Sequence, residues 1–105
     1  MRIYMLFGLN PGSIETARHQ LEKLLGIRAT GRDSLNKGEY YTYDTARERV
    51  KLMRNLDPED GDVIRSEASQ FSHIVFLDNA AETSPWIEKL INAPGLTFIW
   101  RKQHE

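Results

Sequence analysis

The chain has 105 residues, of which 40% are hydrophobic and 28% charged, and it contains no cysteine. This length suffices for one domain with a modest core, and the composition is that of a globular protein. The absence of cysteine excludes disulfide scaffolds, thiol nucleophiles and cysteine-ligated metal sites, and no apolar run approaches the roughly 20 residues of a membrane helix. We therefore predict one α/β domain spanning 1–105, located in the cytoplasm and not associated with a membrane.

The first half of the chain predicts a strand, a helix and a hairpin. Residues 2–9 are almost continuously apolar, which is typical of a central strand. Residues 10–13 form a turn that can cap a helix ending at Gly26, and the apolar positions of that helix are Ile14, Ala17, Leu21, Leu24 and Leu25. A polar loop with room for a short strand follows at 27–37. Segments 39–43 and 48–53 then predict an antiparallel hairpin with one buried face.

The second half predicts a long loop, a strand, a helix and a last strand. Segment 57–70 has no clear periodicity and is predicted as a loop, whereas 73–77 is a short apolar run typical of a central strand. Ser84 and Pro85 are residues that favour the start of a helix. Residues 96–100 predict the last strand, and 101–105 a polar tail.

The predicted order of elements is β-α-β-β-β-α-β, which indicates an α+β fold. Right-handed crossovers at both ends of the chain would place the two helices on one face of the sheet. We therefore predict a two-layer sandwich, in which a mixed β-sheet carries two helices on one face, as a variant of the ferredoxin-like plan. The other face of the sheet would be partly open and available for function.

Acidic residues are concentrated in one part of the chain. Residues 57–92 hold eight acidic and two basic side chains, and the segment 57–62 alone contains four carboxylates. Such a segment produces a field that a cationic partner would feel, especially at low salt. The alternative is that the acidic loop only keeps the protein soluble.

The sequence contains no spacing typical of a catalytic or metal site. The histidines, His19, His73 and His104, are far apart in the chain, and the acidic segment lacks the carboxylate pattern of a calcium loop. The turn at 8–13 lacks the lysine of a phosphate-binding loop. We predict no enzymatic activity, no cofactor and no bound metal.

An aromatic and basic hairpin leaves a second function open. Rings interleaved with cations are what single-stranded RNA requires, and the hairpin supplies them as Tyr40, Tyr41, Tyr43, Lys37, Arg47, Arg49 and Lys51. Residues 37–41 and 3–5 resemble the two motifs of RNA-recognition domains, although Glu39 stands where that family has a ring. Because the net charge is -1, nucleic acid is the less favoured partner.

A set of features in chain order resembles a known group of proteins. The set consists of the first strand ending at 7–11, the Gly-Glu-Tyr-Tyr strand at 38–41, the aspartate-rich loop after 54–55, the strand at 73–77 and the helix at 87–90. It is similar to the small immunity proteins of bacterial polymorphic toxin systems, which include contact-dependent growth inhibition systems.

This resemblance implies a protein that binds a cognate toxin domain, such as a nuclease, and occludes its active site. An acidic loop could occupy the space of the nucleic-acid backbone in a basic cleft, and aromatic anchors would add affinity. On this hypothesis a partly exposed tyrosine, Tyr41 or Tyr43, is the anchor, and the contact charges are Asp57, Glu59, Asp60, Asp62 and Glu67. The sequence leaves the identity of the toxin and the oligomeric state open.

Overall fold

The computed structural model describes residues 1–35 and 38–105. Its elements are β1 (Arg2–Leu9), α1 (Ile14–Leu25), β2 (Thr30–Ser34), β3 (Gly38–Asp44), β4 (Arg49–Arg54), β5 (His73–Ala81), α2 (Pro85–Ile91) and β6 (Thr97–His104). The predicted order is therefore confirmed except for one additional strand, β2, which forms within the segment predicted as a polar loop. No helix of the described residues is long and apolar enough to cross a membrane.

The strands form one open sheet in the order β2-β3-β4-β5-β1-β6. Every pairing between neighbouring strands is antiparallel, so the prediction of a mixed sheet is wrong. The reason lies in the crossovers, because the two strands joined through a helix do not become neighbours. Strands β5 and β6 run in the same direction on either side of α2, but β1 lies between them and runs the opposite way.

Both helices begin at the residues that their caps predict, and α1 also ends at the predicted glycine, whereas α2 ends at Ile91, before the predicted stop at 93–95. In α1, the Ser13 hydroxyl accepts a hydrogen bond from the Thr16 N–H at 3.2 Å. Gly26 ends this helix in the left-handed conformation, with φ of 77°, which glycine adopts without a steric penalty. In α2, the Ser84 side chain accepts from the Trp86 N–H, and Pro85 occupies the first turn.

The two helices pack on the same face of the sheet, as predicted. Their buried side chains form one apolar core with inward-facing residues of the strands, of which the largest fully buried ones include Ile3, Met5, Phe7, Tyr43, Leu52 and Leu77. We call this side of the sheet the helix face and the opposite side the open face.

Part of the open face is covered by residues 64–71, which we call the cover segment. Its apolar side chains, Ile64, Ala68 and Phe71, pack against Leu6, Met53, Ile74 and Phe76 of the sheet. Gly8 makes this packing possible, because a Cβ atom at that position would lie 2.2 Å from the Phe71 ring.

One buried amide, Asn55, fastens the cover segment to the end of β4. Its Nδ2 group donates to the carbonyl oxygens of Arg65 at 3.2 Å and Ala68 at 2.9 Å, and its Oδ1 atom accepts from the Arg65 N–H at 2.8 Å. Since the cover segment has only a single 3₁₀ turn at Ser66–Ala68, these bonds supply backbone partners that regular secondary structure would otherwise provide.

Strands β5 and β6 are longer than predicted. Residues 101–104, predicted as a tail, continue β6 because they pair with the start of β1, and an edge strand tolerates polar side chains. In β5, Asp78 and Asn79 together stand opposite Tyr4, and Asn79 has a positive φ of 61°. This bulge lies within β5, beyond the end of the strand predicted at 73–77.

Candidate functional site

The acidic turn, residues 57–62, has a defined conformation. The Asp57 carboxylate accepts hydrogen bonds from the N–H groups of Glu59 at 2.8 Å and Asp60 at 3.3 Å. Backbone bonds close the same turn, from the Gly61 N–H to the Asp57 carbonyl and from the Asp57 N–H to the Asp62 carbonyl. Asp57 is therefore used to fold the turn, and its carboxylate is committed to backbone donors.

The other three carboxylates of the acidic turn face solvent. Glu59, Asp60 and Asp62 are exposed, and none of them takes part in a salt bridge among residues 1–35 and 38–105. The turn is flanked by two exposed large hydrophobic residues, Leu56 on one side and Val63 on the other. The acidic turn thus presents a cluster of negative charge bordered by apolar side chains, which is an arrangement suited to protein contact.

Glu67 belongs to a different environment from the acidic turn. Its carboxylate accepts from the indole N–H of Trp100 at 3.0 Å and lies 3.9 Å from the Arg65 guanidinium. Its own backbone N–H and then this indole hold the pKa of Glu67 below its ordinary value. Glu67 therefore joins the cover segment to β6, and it is separate from the solvent-facing carboxylates that it was grouped with.

The structure buries both tyrosines that were predicted as anchors. Tyr43 is fully buried, and its hydroxyl donates to the Arg18 carbonyl at 2.9 Å; the Tyr41 hydroxyl lies 2.6 Å from the Glu15 carboxylate. Burial raises the pKa of Tyr43, and the bond to Glu15 raises that of Tyr41. The prediction that one of them is partly exposed is wrong, because the alternation of β3 turns both rings towards α1.

Other residues of the hairpin lie on the open face, opposite Tyr41 and Tyr43. Tyr40 packs at the open face with the residues around the cover segment, and Lys51 lies on the same face. Lys37, one of the cations predicted beside these rings, lies outside the described residues. The rings and cations of the hairpin therefore do not form one surface of the kind that the sequence indicated.

A groove that the sequence did not reveal lies on the open face beside the cover segment. It has a volume of about 430 Å³ and runs across strands β4, β5, β1 and β6. Its lining includes the aromatic residues Tyr4, Phe76 and Trp100 and the basic residues Lys51, Arg65 and Lys102. We call it the open-face groove.

Cations lie over the aromatic rings of this groove. The Lys51 amino group is 5.1 Å from the centre of the Phe76 ring, and the Arg65 guanidinium is 5.2 Å from the same ring. The Lys102 amino group lies 4.6 Å from the centre of a Trp100 ring. Lys51 also pairs with Asp78 at 3.0 Å, an aspartate that the β5 bulge holds beside it.

Predicting the groove from the sequence would have required knowing where the strands that form it end, and the sequence did not indicate this. The alternation of β6 places Trp100, Lys102 and His104 on one face, but 101–105 was predicted as a tail. Tyr4 was visible in the first strand, yet which face it occupies depends on the position of both helices. The available signal for the groove was that residues 100, 102 and 104 would share one face if they belonged to a strand. Recognising this required knowing that 101–104 pair with β1.

The described residues offer little for metal or cofactor chemistry. Within 1–35 and 38–105, no group of three histidine, aspartate or glutamate side chains is placed to hold a metal ion. His73 is buried at the start of β5, and burial, followed by the charge of Arg54, lowers its pKa. Its Nδ1 atom lies 2.8 Å from the Ser72 hydroxyl, so it is tied to a neighbouring residue in the chain.

Comparison with known proteins adds no family to these observations. No family model matches the chain, and neither a curated protein nor a solved structure matches it. The acidic turn and the open-face groove are therefore interpreted from their own geometry and charge.

Proposed function

We propose that the protein is a cytoplasmic immunity protein that binds a cognate bacterial toxin and occludes its active site, without catalysis of its own. The observation that carries this proposal is the acidic turn, on which Glu59, Asp60 and Asp62 face solvent with no cation beside them in the described structure. Because the turn is already folded around Asp57, little conformational entropy is lost when these charges meet a partner.

The chemistry of the turn favours a partner with a basic cleft, such as a nuclease domain. Carboxylates on a rigid turn can take the positions that nucleic-acid phosphates occupy, and complementary charge accelerates the encounter of two proteins. Leu56 and Val63 border the turn and replace the buried tyrosines as candidates for apolar anchors. This division, with charges for association and apolar anchors for affinity, is common in protein interfaces.

We also propose that the fold is a variant of the ferredoxin-like plan. The order β6-β1-β5-β4 supports this, because each of its two crossovers joins strands that run in the same direction with one opposite strand between them. The hairpin of β2 and β3 would then be an insertion after α1 that extends the sheet at the β4 edge.

The proposal is tested by isolating the partner and then neutralising the acidic turn. The full chain is used to capture its partner, and the captured protein is assayed for toxin activity with and without the chain. The triple variant Glu59→Gln/Asp60→Asn/Asp62→Asn should associate at least about tenfold more slowly at low salt and with a weaker salt dependence.

A matched control removes the same number of charges elsewhere. Asp33, Glu82 and Glu88 are exposed acidic residues outside the turn, and the variant Asp33→Asn/Glu82→Gln/Glu88→Gln has the same net charge as the test variant. We expect it to associate nearly as fast as the unmodified chain. Equal association rates for the two triple variants, or turnover of a substrate by the purified chain, would overturn the proposal.

The alternative of RNA binding through the tyrosine hairpin finds no support in the positions of Tyr41 and Tyr43. Buried rings cannot stack on bases, and both hydroxyl groups are already occupied by partners within the protein. The partly exposed rings lie on the opposite face of the sheet.

A further inference from the structure

We infer that the open-face groove binds single-stranded RNA, with Tyr4 and Trp100 stacking on bases and Arg65 and Lys102 contacting phosphates. This site goes beyond the proposed toxin-binding function, since it shares no residue with the acidic turn. The inference rests on three properties of the groove: the placement of its rings, the placement of its cations and its shape.

The rings are placed as neighbours on a flat support. Tyr4 pairs with Lys102 and Leu6 pairs with Trp100 across β1 and β6, so Tyr4 and Trp100 are diagonal neighbours on the same face. Diagonal positions in a sheet lie about 7–8 Å apart, which lets two splayed bases stack side by side. Both rings are partly exposed, whereas Phe76 beneath the groove is buried under Lys51 and Arg65.

Lys51 is paired with Asp78 at 3.0 Å, but Arg65 and Lys102 are held next to the rings without a close ion pair. Lys102 lies over Trp100, and a cation–π contact at an exposed site is weak enough for the amino group to move to a phosphate. Arg65 has only the distant carboxylate of Glu67 at 3.9 Å. A base stacked on Trp100 would therefore place its phosphate within reach of side chains that have no better partner.

The charge of the groove differs from that of the whole chain. Although the net charge is -1, the groove is lined by three basic side chains, Lys51, Arg65 and Lys102, and by one acidic side chain, Asp78. The net charge had disfavoured nucleic acid as a partner. Because the lining of the groove is itself net positive, that objection does not apply to this surface.

The shape and polarity of the groove select the ligand. Its volume of about 430 Å³ is suited to one or two nucleotides with accessible base faces, which a duplex does not offer. An acidic peptide would satisfy the cations but not the rings. The Asp78 carboxylate lines the groove and can accept a hydrogen bond from a ribose 2′-hydroxyl, which favours RNA over DNA.

The experiment is a fluorescence anisotropy titration of the full chain with a labelled mixed-sequence oligoribonucleotide of about eight nucleotides at about 50 mM salt. Tyr4→Leu and Trp100→Leu should each weaken binding about tenfold by removing one stacking ring. Lys102→Gln should weaken binding on all sequences and lower the salt slope by about 0.7. Because Lys102 is exposed, this variant is expected to fold normally.

Matched controls lie on the other side of the sheet. The ring of Phe98 is exposed but contacts Phe7 on the helix face, and Lys89 is exposed on α2. Phe98→Leu and Lys89→Gln should leave the affinity unchanged. The inference is overturned by no binding at low salt, by equal losses in test and control variants, or by equally tight binding of the same sequence as DNA or of a glutamate-rich peptide. None of these results bears on toxin binding through the acidic turn.

Discussion

The two faces of the sheet are stabilised in different ways. On the helix face, side chains of α1 and α2 bury a continuous apolar core, and most of its members are fully excluded from solvent. On the open face, a smaller apolar cluster is covered by residues 64–71, which one amide side chain attaches to β4. Burial on the helix face therefore supports the fold while the open face stays partly exposed.

Substituting one phenylalanine on each face measures how much each face contributes to stability. Phe7 is fully buried on the helix face, whereas Phe71 is partly buried on the open face. We expect Phe7→Ala to lower the free energy of unfolding by about 4 kcal/mol and Phe71→Ala by about half of that, because the partly exposed ring buries less apolar area. Urea denaturation of the two variants measures both values. Equal losses would show that the cover segment is as integral to the fold as the helix-face core.

Asn55 is the next test, because its loss affects the open face alone. Asn55→Ala leaves the Arg65 N–H and the Ala68 carbonyl without their partner, and we expect a loss of about 3 kcal/mol in the free energy of unfolding. Asn55→Asp should lower the free energy of unfolding further than Asn55→Ala, since a carboxylate would face the carbonyl oxygens of Arg65 and Ala68.

The control for Asn55 is Asn92→Ala, an exposed position at the end of α2, which should change the free energy of unfolding by no more than about 0.5 kcal/mol. Hydrogen exchange of the cover segment shows whether it detaches while the sheet stays folded. An Asn55→Asp variant as stable as the original chain would contradict the role assigned to this amide.

The sequence predicted the helix face better than the open face, for physical reasons. The repeat of apolar residues from Ile14 to Leu25 follows the helical period, and it correctly identified which side of α1 is buried. The cover segment has no such repeat, because it is held by contacts between residues distant in sequence. Its two determinants, Asn55 and Gly8, act through partners 10 to 63 positions away that only the fold brings together.

The candidate sites, too, were evident from the sequence only where local composition determines them. The acidic turn was evident from composition, since a run of carboxylates remains at the surface in almost any fold. Its internal use of Asp57 and the burial of Tyr41 and Tyr43 were not evident, because they depend on turn geometry and on which face of β3 the helices cover. The open-face groove needed the pairing of β1 with β6, which no local pattern encodes.

Gly8 and Phe71 should show strong energetic coupling. A Cβ atom at residue 8 would overlap the Phe71 ring. We therefore expect Gly8→Ala alone to lower the free energy of unfolding by about 2 kcal/mol, because that ring must be displaced. In a chain that already carries Phe71→Ala, the same substitution should leave the free energy of unfolding almost unchanged, because the ring atoms that it would overlap are absent. A double-mutant cycle in urea measures the coupling. Additive losses would show that Gly8 serves the backbone of β1 and not the packing of the cover segment.

The smallest expected effect is a dependence of stability on pH that originates on the helix face. Burial first, and the charge of Arg54 second, lower the pKa of His73 below its ordinary value of 6.5. The unfolded chain therefore takes up this proton at a higher pH than the folded chain, so stability is complete above about pH 6.5 and falls as the pH decreases towards the folded pKa. Glu15 and Glu67 have lowered pKa values and reduce stability only below about pH 4.5. His73→Gln should remove the slope below pH 6.5. Thermal unfolding of this variant and of the original chain between about pH 7 and pH 5 measures the slope, and a slope that survives in His73→Gln would assign the proton uptake to another group.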